Sequence, residues 1–508
     1  MNNNARRSGS TRITNPVGLP LWTSRARLHD VSTPWLLLVL LTVLAVVLRS
    51  IGLDSGLWYD EIKTLLESVH SPLLRILTVF PGDNQHTLFS VLAHLSISAF
   101  GDHPWSLRLP SMLLGAATVP VLYFFAREFV GRTEALLASL LLAVSYHHVW
   151  FSQSARGYAT LAFLAVLSSW LLLRGLRRGQ TGDFVWYGVA TALGVYTHIT
   201  MVFLLASHAL LCVIPLGFPG VRGEALRRWR LPFFGFLLAG VFTLILYSPV
   251  LFEVRHTLEK KADPMKGATA KWAFVELIRG MQIGLGSAAA VLAGATVFLI
   301  GMWSYFKQST FVLGMFLLPG VITIAAPVVL HRPVRPRFIL FLAGFALLIV
   351  VRGALEIGRM LQRGRASSTV VTSPVGIGLV LVLAVLSAGS LRFNYEYPKQ
   401  DFVGARQFVH LHRGEGEPVL TAGPAIYPYR AYFAEAWQGI TSLAGFQAAR
   451  AQGRRVWVIY TLDSYIRTDA PDLMAALRAD CAVQSVFRGT LGGGDVTVCL
   501  AAPLPTAK

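Results

Sequence analysis

The sequence predicts a mainly α-helical, polytopic transmembrane protein with a small C-terminal α/β domain. Two observations establish the transmembrane part. Hydrophobic residues make up 54% of the chain and charged residues only 14%, and the mean hydropathy is +0.55, values that do not suit a soluble protein. Largely uncharged runs of roughly 20 residues, the length that crosses a bilayer as a helix, recur along the chain. A third observation sets the C-terminus apart, because short strand and helix patterns alternate from Asn394 onward.

The chain carries a formal net charge of +19, and this charge bears on its partners. The basic residues cluster in the short gaps between apolar runs, where residues that set membrane topology are found. Anionic lipid head groups therefore explain the charge better than a nucleic acid does. We expect the membrane as a partner and no nucleic acid.

The N-terminal region is interpreted as a cytoplasmic tail followed by an uncleaved helix. Residues 1–32 are polar and rich in arginine, which favours the cytoplasmic side. The apolar run from Trp35 to Leu48 has no A-x-A-like cleavage site, so we assign it as the first span rather than a signal peptide. The loop at residues 53–106 then lies outside the cytoplasm.

The run from Thr87 to Phe100 decides the orientation of everything that follows. It has about 14 residues, which suits an interfacial or re-entrant helix better than a span. With this assignment the arginine clusters after residues 126, 173 and 217 are cytoplasmic. The resulting transmembrane domain, residues 33–393, has about eleven spans. We therefore expect the chain to be a multi-pass protein of the cell (inner) membrane.

The tail at residues 394–508 is predicted to be an extracytoplasmic α/β domain. Strand patterns occur at Val419-Leu420, at residues 456–460 and at residues 495–500, with helical patterns around 400–412 and 470–479. Cys481 and Cys499 flank a predicted hairpin. Whether they form a disulfide cannot be read from the sequence.

The adjacent acids Asp60 and Glu61 are the main candidates for chemistry. They follow Trp58-Tyr59 close to the predicted membrane surface, where a low-dielectric wall can raise the proton affinity of a carboxylate. Such a group can act as a general base toward an acceptor hydroxyl. The alternative is that both acids are solvated loop residues. Lys63 would share a helical face with Asp60 and could bind a phosphate or pair with the acid.

A second candidate feature is the outer arginine group Arg332, Arg335 and Arg337. These residues oppose the positive-inside trend, so topology does not explain them. Guanidinium groups beside a membrane suit a lipid phosphate or pyrophosphate. Pairing with lipid head groups or with the outer acids is an equally good explanation. No H-E-x-x-H, paired-cysteine metal spacing, Walker A or G-x-S-x-G motif occurs, so no cofactor is predicted.

A series of short motifs resembles the GT-C membrane glycosyltransferases. The motifs, in order, are Asp60-Glu61, Arg108-Leu109-Pro110-Ser111 with Gly115, Arg127 with Gly131-Arg132, Ser152-Gln153 with Ala155-Arg156 and Tyr158, and Tyr196-Thr197-His198. The branch that they resemble most is family 39 and the Rgt type, related to protein O-mannosyltransferases and lipid A aminoarabinose transferases. The ordered match covers about residues 35–215, and Pro336-Arg337-Phe338 resembles a later feature.

The resemblance implies a membrane hexosyl- or pentosyltransferase that uses a polyprenyl-phosphate sugar donor and inverts the anomeric carbon outside the cytoplasm. Asp60 would be the catalytic acid/base residue and Glu61 would support it. The acceptor would be a lipid, a glycan or a protein. Candidate ligands of the donor phosphate are Lys63, Arg156, Arg337 and Arg335. Candidate substrate-binding residues are His86, Gln153, Tyr158, Arg108, Tyr196 and His198.

The chain departs from the family pattern at two points. Relatives commonly have His-Pro-Pro-Leu-Tyr where Gln85-His86-Thr87-Leu88-Phe89 stands here, so only the histidine corresponds. They also often have Ser-Gln-Glu-Ala-Arg, whereas Ser154 replaces the acid in this chain. A second carboxylate is therefore not indicated. A divalent metal, which such an acid would help to bind, could be used but is not indicated either.

Two other function classes share the hydropathy. A transporter or flippase for lipid-linked glycans would more often show charged or Pro/Gly-broken residues at mid-membrane depth and internal repeats. Mid-helix charges are scarce here, and this favours a site at the membrane surface. A glycan ligase is the remaining enzyme alternative, and an assembly scaffold is the non-enzyme one.

Overall fold

The computed structural model describes residues 34–80, 82, 85–214, 230–259, 274–276, 278–280, 287–330, 335–362 and 373–504. The predicted N-terminal tail, together with His331 and Arg332, lies outside the described residues. Helices occupy most of the described chain up to Glu396, and all five strands lie beyond that point. This distribution matches the predicted fold class.

The elements follow one another along the chain in the order given below. The helices are α1 (Trp35–Ser50), α2 (Tyr59–Thr64), α3 (Leu73–Thr78), α4 (Thr87–Phe100), α5 (Pro104–Arg127), α6 (Arg132–Ala143), α7 (Tyr146–Ser152), α8 (Tyr158–Arg178), α9 (Thr181–Thr197), α10 (Met201–Val213), α11 (Arg230–Tyr247), α12 (Leu251–Glu259), α13 (Ala288–Gln308), α14 (Thr310–Val329), α15 (Ala343–Gln362), α16 (Pro374–Glu396), α17 (Phe402–His412), α18 (Leu443–Arg450), α19 (Asp463–Asp469) and α20 (Pro471–Asp480). The strands are β1 (Val419–Ala422), β2 (Gln438–Ile440), β3 (Val456–Thr461), β4 (Cys481–Phe487) and β5 (Val496–Ala501). A 3₁₀ segment, Pro336–Leu342, leads into α15.

Among the described residues, seven helices are long and apolar enough to cross a membrane, or eight if the bent pair α6 and α7 counts as one span. The helices α1, α4 and α10 are apolar but shorter. The multi-pass architecture is confirmed. The predicted number of about eleven spans is not confirmed by length and composition.

Glycines let two of the membrane helices touch through their backbones. A Cβ atom on Gly301 of α13 would overlap the carbonyl of Ile349, and one on Gly353 of α15 would overlap the carbonyl of Val297. Close backbone approach of this kind increases van der Waals contact between helices in lipid. Backbone packing therefore adds to the side-chain contacts between α13 and α15, in which Ser304 donates to Glu356 and Arg352 lies over the Tyr305 ring.

A buried arginine fixes the break between α6 and α7, which are bent by 57°. Arg49, at the end of α1, donates from Nη1 to the carbonyl of Ala143 at 3.0 Å and from Nη2 to that of Leu142 at 3.2 Å. Its Nε donates to Ser152 Oγ at 3.2 Å. The guanidinium thus satisfies the carbonyls that the broken helix leaves open. It also holds the start of the turn that follows α7.

The C-terminal part forms a five-stranded mixed sheet in the order β2-β1-β3-β5-β4. Strands β2, β1 and β3 are parallel, and β5 is antiparallel to both β3 and β4. The predicted strand and helix positions in this region agree with the structure. Cys481 and Cys499 form a disulfide across the β4–β5 hairpin, and the third cysteine, Cys212, is buried.

The sheet packs one face on the first loop of the membrane part. Leu57 and Ile62 of that loop share a buried apolar cluster with Phe402, Trp457 and Val498. The other face of the sheet forms a separate cluster with α18 and α20. The C-terminal domain is thereby seated directly over the candidate acids. The predicted domain boundaries at residues 32 and 393 stay predictions.

Removing the disulfide should destabilise the C-terminal domain. The double variant Cys481→Ala/Cys499→Ala is expected to lose about 2–4 kcal/mol of stability, because the unfolded chain is no longer cross-linked. Thermal unfolding of the purified protein in detergent measures this loss. Cys212→Ala is the matched control, and an equal loss in that variant would contradict the assignment.

Candidate active site

The first turn of α2 separates the two neighbouring acids. The helix starts after Trp58, whose backbone N–H donates to Glu61 Oε2 at 3.3 Å and so ties the N-terminus of the helix to its third residue. Successive helical residues point about 100° apart, so Asp60 and Glu61 face different surroundings. Glu61 is fully buried, whereas the Asp60 side chain is 14% exposed.

Glu61 forms a buried, two-pronged ion pair with Arg108 of α5. Arg108 Nε donates to Oε1 at 2.9 Å and Nη2 to Oε2 at 2.5 Å. The Ala155 N–H also donates to Oε1 at 2.6 Å. Burial by itself would raise the pKa of Glu61, but the positive charge and hydrogen bonds of Arg108 more than offset it and lower the pKa below its ordinary value. Glu61 is therefore an ionised anchor, shielded from a substrate.

Arg108 also organises the loop between α1 and α2. Its Nη1 donates to the carbonyls of Leu53 at 2.8 Å and Ser55 at 2.7 Å, and its Nη2 to that of Gly56 at 3.1 Å. The side chain is only 1% exposed. Arg108 thus fixes the backbone of the loop and is itself buried.

Asp60 pairs with an arginine from the far end of the membrane domain. Arg337 Nη1 donates to Asp60 Oδ2 at 2.8 Å across a sequence separation of 277 residues. The two side chains are 25% and 14% exposed, so the pair is reachable from outside the protein. The 3₁₀ segment that carries Arg337 packs against α8 and α14, which fixes its position.

Arg156 lies in the same cluster. Its Nη1 donates to Thr64 Oγ1 at 2.8 Å and its Nη2 to His86 Nε2 at 2.8 Å. The guanidinium carbons of Arg156 and Arg337 lie 5.8 and 5.9 Å from the centre of the Tyr158 ring. Two cations therefore lie beside one aromatic ring, and Asp60 is bonded to one of them, Arg337.

The histidines beside these cations are neutral. Burial, and then the positive charge of Arg156, lowers the pKa of His86 well below its ordinary value. The same two causes, joined by Arg337, lower the pKa of His198 to about 3. The His86 and His198 rings lie 5.0 Å apart and both contact Tyr158. A neutral His86 can therefore accept from Arg156.

The structure places other predicted site residues elsewhere. The Lys63 ammonium lies 3.8 Å from Glu67 and not beside Asp60. Gln153 donates to the carbonyl of Ile51 at 2.6 Å and accepts from Asn394, so its amide serves the scaffold. Tyr196 packs against the Tyr247 ring at 5.5 Å. Arg335 is partly buried, two residues before Arg337.

The C-terminal domain contributes residues that sequence reasoning missed. Lys399 Nζ donates to the carbonyl of Gln153 at 2.8 Å, and Gln400 Oε1 accepts from the Tyr59 N–H at 3.0 Å. Tyr465 lies within electrostatic range of Arg337 and Tyr59. It is carried by α19, which follows Leu462, a residue in the left-handed region at φ 52°. Only the polar run Pro398-Lys399-Gln400-Asp401 after the last apolar run hinted at these contacts.

The described part of the chain contains no group of three or more His, Cys, Asp or Glu residues arranged to hold a metal ion. The acid that relatives often have next to Gln153 is Ser154 here, and Ser154 donates to the carbonyl of Trp150 at 3.1 Å. The residues present therefore offer cations, one accessible carboxylate and aromatic rings.

A family comparison matches this region. Residues 86–252 match the sequence model described as dolichyl-phosphate-mannose-protein mannosyltransferase. Two proteins of Bacillus subtilis (strain 168), YkcB and YycA, both provisionally named mannosyltransferases, are each 33% identical, over 86 and 94 residues. These matches cover 17% and 18% of this chain and only 12% and 13% of the two relatives.

The solved structures cover far more of the chain. ArnT from Cupriavidus metallidurans, bound to undecaprenyl phosphate, matches with a TM-score of 0.52 over 92% of this chain and 98% of that one, at 13% identity. Its apo form matches with a TM-score of 0.51. The chain has a GT-C glycosyltransferase fold. The predicted resemblance is confirmed as a fold shared with ArnT and a mannosyltransferase family match over residues 86–252.

The segment that matches the family model contains only part of the residues around Asp60 and Tyr158. The matched segment contains His86, Arg108, Arg156 and Tyr158. Asp60 precedes that segment, and Arg337 follows it. The central ion pair of the cluster is therefore known from the structure alone.

Neutralising the buried anchor should destabilise the protein. Glu61→Gln leaves the Arg108 charge buried without its partner, which typically costs about 3–5 kcal/mol. Thermal unfolding in detergent measures the loss. The surface pair Arg255–Glu259 supplies the matched control, because Glu259→Gln should change stability by about 1 kcal/mol or less. Equal effects of the two substitutions would show that Glu61 is not an anchor.

Lys399, which joins the C-terminal domain to the turn at Gln153, gives a second prediction. Burial lowers the pKa of Lys399 to about 7, helped by Arg108 and opposed by Glu61. Between about pH 7 and 10 the unfolded chain then binds more protons than the folded one at this residue, so stability rises with pH by up to about 1.4 kcal/mol per unit. The stability of wild type minus that of Lys399→Met, measured from pH 6 to 9.5, should rise above pH 7 and level off below it. A flat difference would contradict the assignment.

Proposed function

We propose that this protein transfers a sugar from a polyprenyl-phosphate donor to an acceptor hydroxyl, with inversion at the anomeric carbon. One observation carries the proposal. The accessible carboxylate of Asp60 bonds to Arg337, and the Arg337 and Arg156 guanidiniums flank the same Tyr158 ring. A base and a phosphate-binding pair of cations are thus within reach of one substrate.

The cations suit the leaving group. When the bond between the sugar and the phosphate breaks, negative charge develops on the phosphate oxygens. Guanidinium donors fixed in a low-dielectric site stabilise that charge without having to reorganise. The phosphate can then leave without a general acid, and Arg156 and Arg337 are the groups placed to receive it.

Asp60 suits the other half of the reaction. An acceptor hydroxyl becomes a better nucleophile as its proton is removed by a carboxylate within hydrogen-bonding reach. Glu61 cannot perform this step because it is buried and paired with Arg108. Asp60 is the remaining acid of the pair. A single displacement at the anomeric carbon inverts its configuration.

The comparisons support the donor class. The ArnT structure of the same fold is bound to undecaprenyl phosphate, and the family model is named for a dolichyl-phosphate sugar. Both are phosphates of long polyprenyl lipids, which would reach the site from the bilayer. A hexose or a pentose fits this scheme, as does a lipid, glycan or protein acceptor.

The charge distribution supports a site outside the cytoplasm. Arg108 and Tyr158 stand near the beginnings of α5 and α8, whereas Arg127, Arg177 and Arg178 stand at their ends. Arginine-rich ends favour the cytoplasmic face of the inner membrane. The disulfide in the C-terminal domain, on the same side as the site, fits an oxidising compartment. The N-terminus would then be cytoplasmic and residues 394–508 extracytoplasmic.

Asp60→Asn tests the proposal. Removing the base should lower the rate of sugar transfer about 10²–10⁴-fold while the donor still binds. The measurement is transfer of a labelled sugar from a polyprenyl-phosphate donor by purified protein in lipid vesicles. Asp102→Asn is the matched control, because Asp102 is an exposed acid of the same loop paired with His70.

Two outcomes would overturn the proposal. Wild-type turnover in Asp60→Asn would remove Asp60 from its role as base. Movement of a labelled lipid-linked glycan across the bilayer by the wild type, without sugar transfer, would favour a flippase instead. A fluorescence-quenching assay on the same vesicles measures the movement of the labelled glycan, and so separates these two results.

A further inference from the structure

Arg337 has more hydrogen-bonding capacity than the protein around it uses. A guanidinium carries five N–H donors in a planar fork. The Nη1 edge is bonded to Asp60, but Nε is buried and has no acceptor among the described residues. A buried, charged donor of this kind normally has a partner. The open edge can therefore take an acceptor that the described residues do not supply.

The surroundings of that edge point to an anion. Arg337 and Arg156 face the same Tyr158 ring, and the adjacent His86 and His198 are neutral. Two guanidiniums thus converge on one ring, and one of them, Arg337, pairs with the Asp60 carboxylate. A phosphate bound here would accept from the Nε edge.

We propose that Arg337 is shared between Asp60 and the donor phosphate, and that the phosphate draws it away from Asp60. The inference rests on the proposed function and adds an order of events to it. With Arg337 turned toward the phosphate, Asp60 loses its donor and can accept a hydrogen bond from the acceptor hydroxyl. The donor then binds first, and its binding releases the base.

The physical reason is competition for one positive charge. Arg337 supplies a single charge, and both Asp60 and the phosphodiester of the donor are anions. Whatever strengthens one pairing weakens the other, and the coupling is reciprocal. Arg156 differs in the contacts that the described residues show, since Thr64 and His86 accept from it. Arg156 fixes the phosphate, whereas Arg337 links it to the base.

A double-mutant cycle on binding tests the sharing. The probe is undecaprenyl phosphate, titrated into the detergent-solubilised full chain by calorimetry or thermophoresis. Asp60→Asn should bind it at least about fivefold more tightly than wild type, the lower end of typical coupling factors. Arg337→Gln should bind it more weakly. Adding Asp60→Asn to Arg337→Gln should change the affinity by less than about twofold, since the shared group is gone.

The outcomes are distinct. Unchanged or weaker binding by Asp60→Asn overturns the sharing, and so does a tightening that persists fully in the Arg337→Gln background, which would indicate direct repulsion between the anions. Asp102→Asn controls for net charge and should leave the affinity unchanged. Failure of the wild type to bind the probe would instead refute the proposed donor class.

A second measurement does not depend on Arg337→Gln folding. Isotope-edited infrared spectra of the wild type, with ¹³C-labelled aspartate, should show a carboxylate band that shifts when undecaprenyl phosphate is added. The band is assigned to Asp60 by its absence in Asp60→Asn. An unshifted band at saturating probe would mean that Arg337 stays on Asp60, and would overturn the proposal.

Discussion

The ion pair between Glu61 and Arg108 is the constraint on which the site depends. It is buried from solvent on both sides, and its two hydrogen bonds fix the relative position of α2 and α5. Arg108 also donates to the carbonyls of Leu53, Ser55 and Gly56, and so fixes the backbone of the loop before α2. The direction of the Asp60 side chain is therefore set by the pairing of Glu61 with Arg108. A buried pair of this kind fixes geometry more than it adds net stability.

Two adjacent carboxylates thus acquire different roles from their environments. Glu61 is compensated within the protein by Arg108 and the Ala155 N–H, whereas Asp60 is partly exposed and pairs with Arg337. His86 and His198 stay neutral because they are buried and because the positive charges of Arg156 and Arg337 oppose protonation. Two guanidiniums beside one ring in a low dielectric favour an anionic ligand. The lipid phosphate of the proposed function would be such a ligand.

The C-terminal domain belongs to the site rather than to its periphery. Lys399 and Gln400 bond to the two turns that carry Arg156 and Asp60, through Gln153 and Tyr59. Trp150 Nε1 also donates to Thr490 Oγ1 at 2.8 Å, between the same two parts of the molecule. An apolar cluster beneath these contacts joins the sheet to the first loop. Movement of the C-terminal domain would therefore shift both the turn that carries Arg156 and the turn that carries Asp60.

The sequence by itself determined the fold class and three of the five strands of the C-terminal domain, and the role that it predicts for Asp60 stays a prediction. Hydropathy and periodicity are properties of each segment, so they survive without knowledge of the fold. It could not assign Glu61 to the interior, pair Asp60 with Arg337, or move Lys63 to Glu67 and Gln153 to the scaffold. Those distinctions depend on which distant helices touch, and a charged residue in a loop looks the same whether it is buried or exposed. Only the tertiary structure, by packing α5, α8 and the 3₁₀ segment at Pro336–Leu342 around one short loop, decided them.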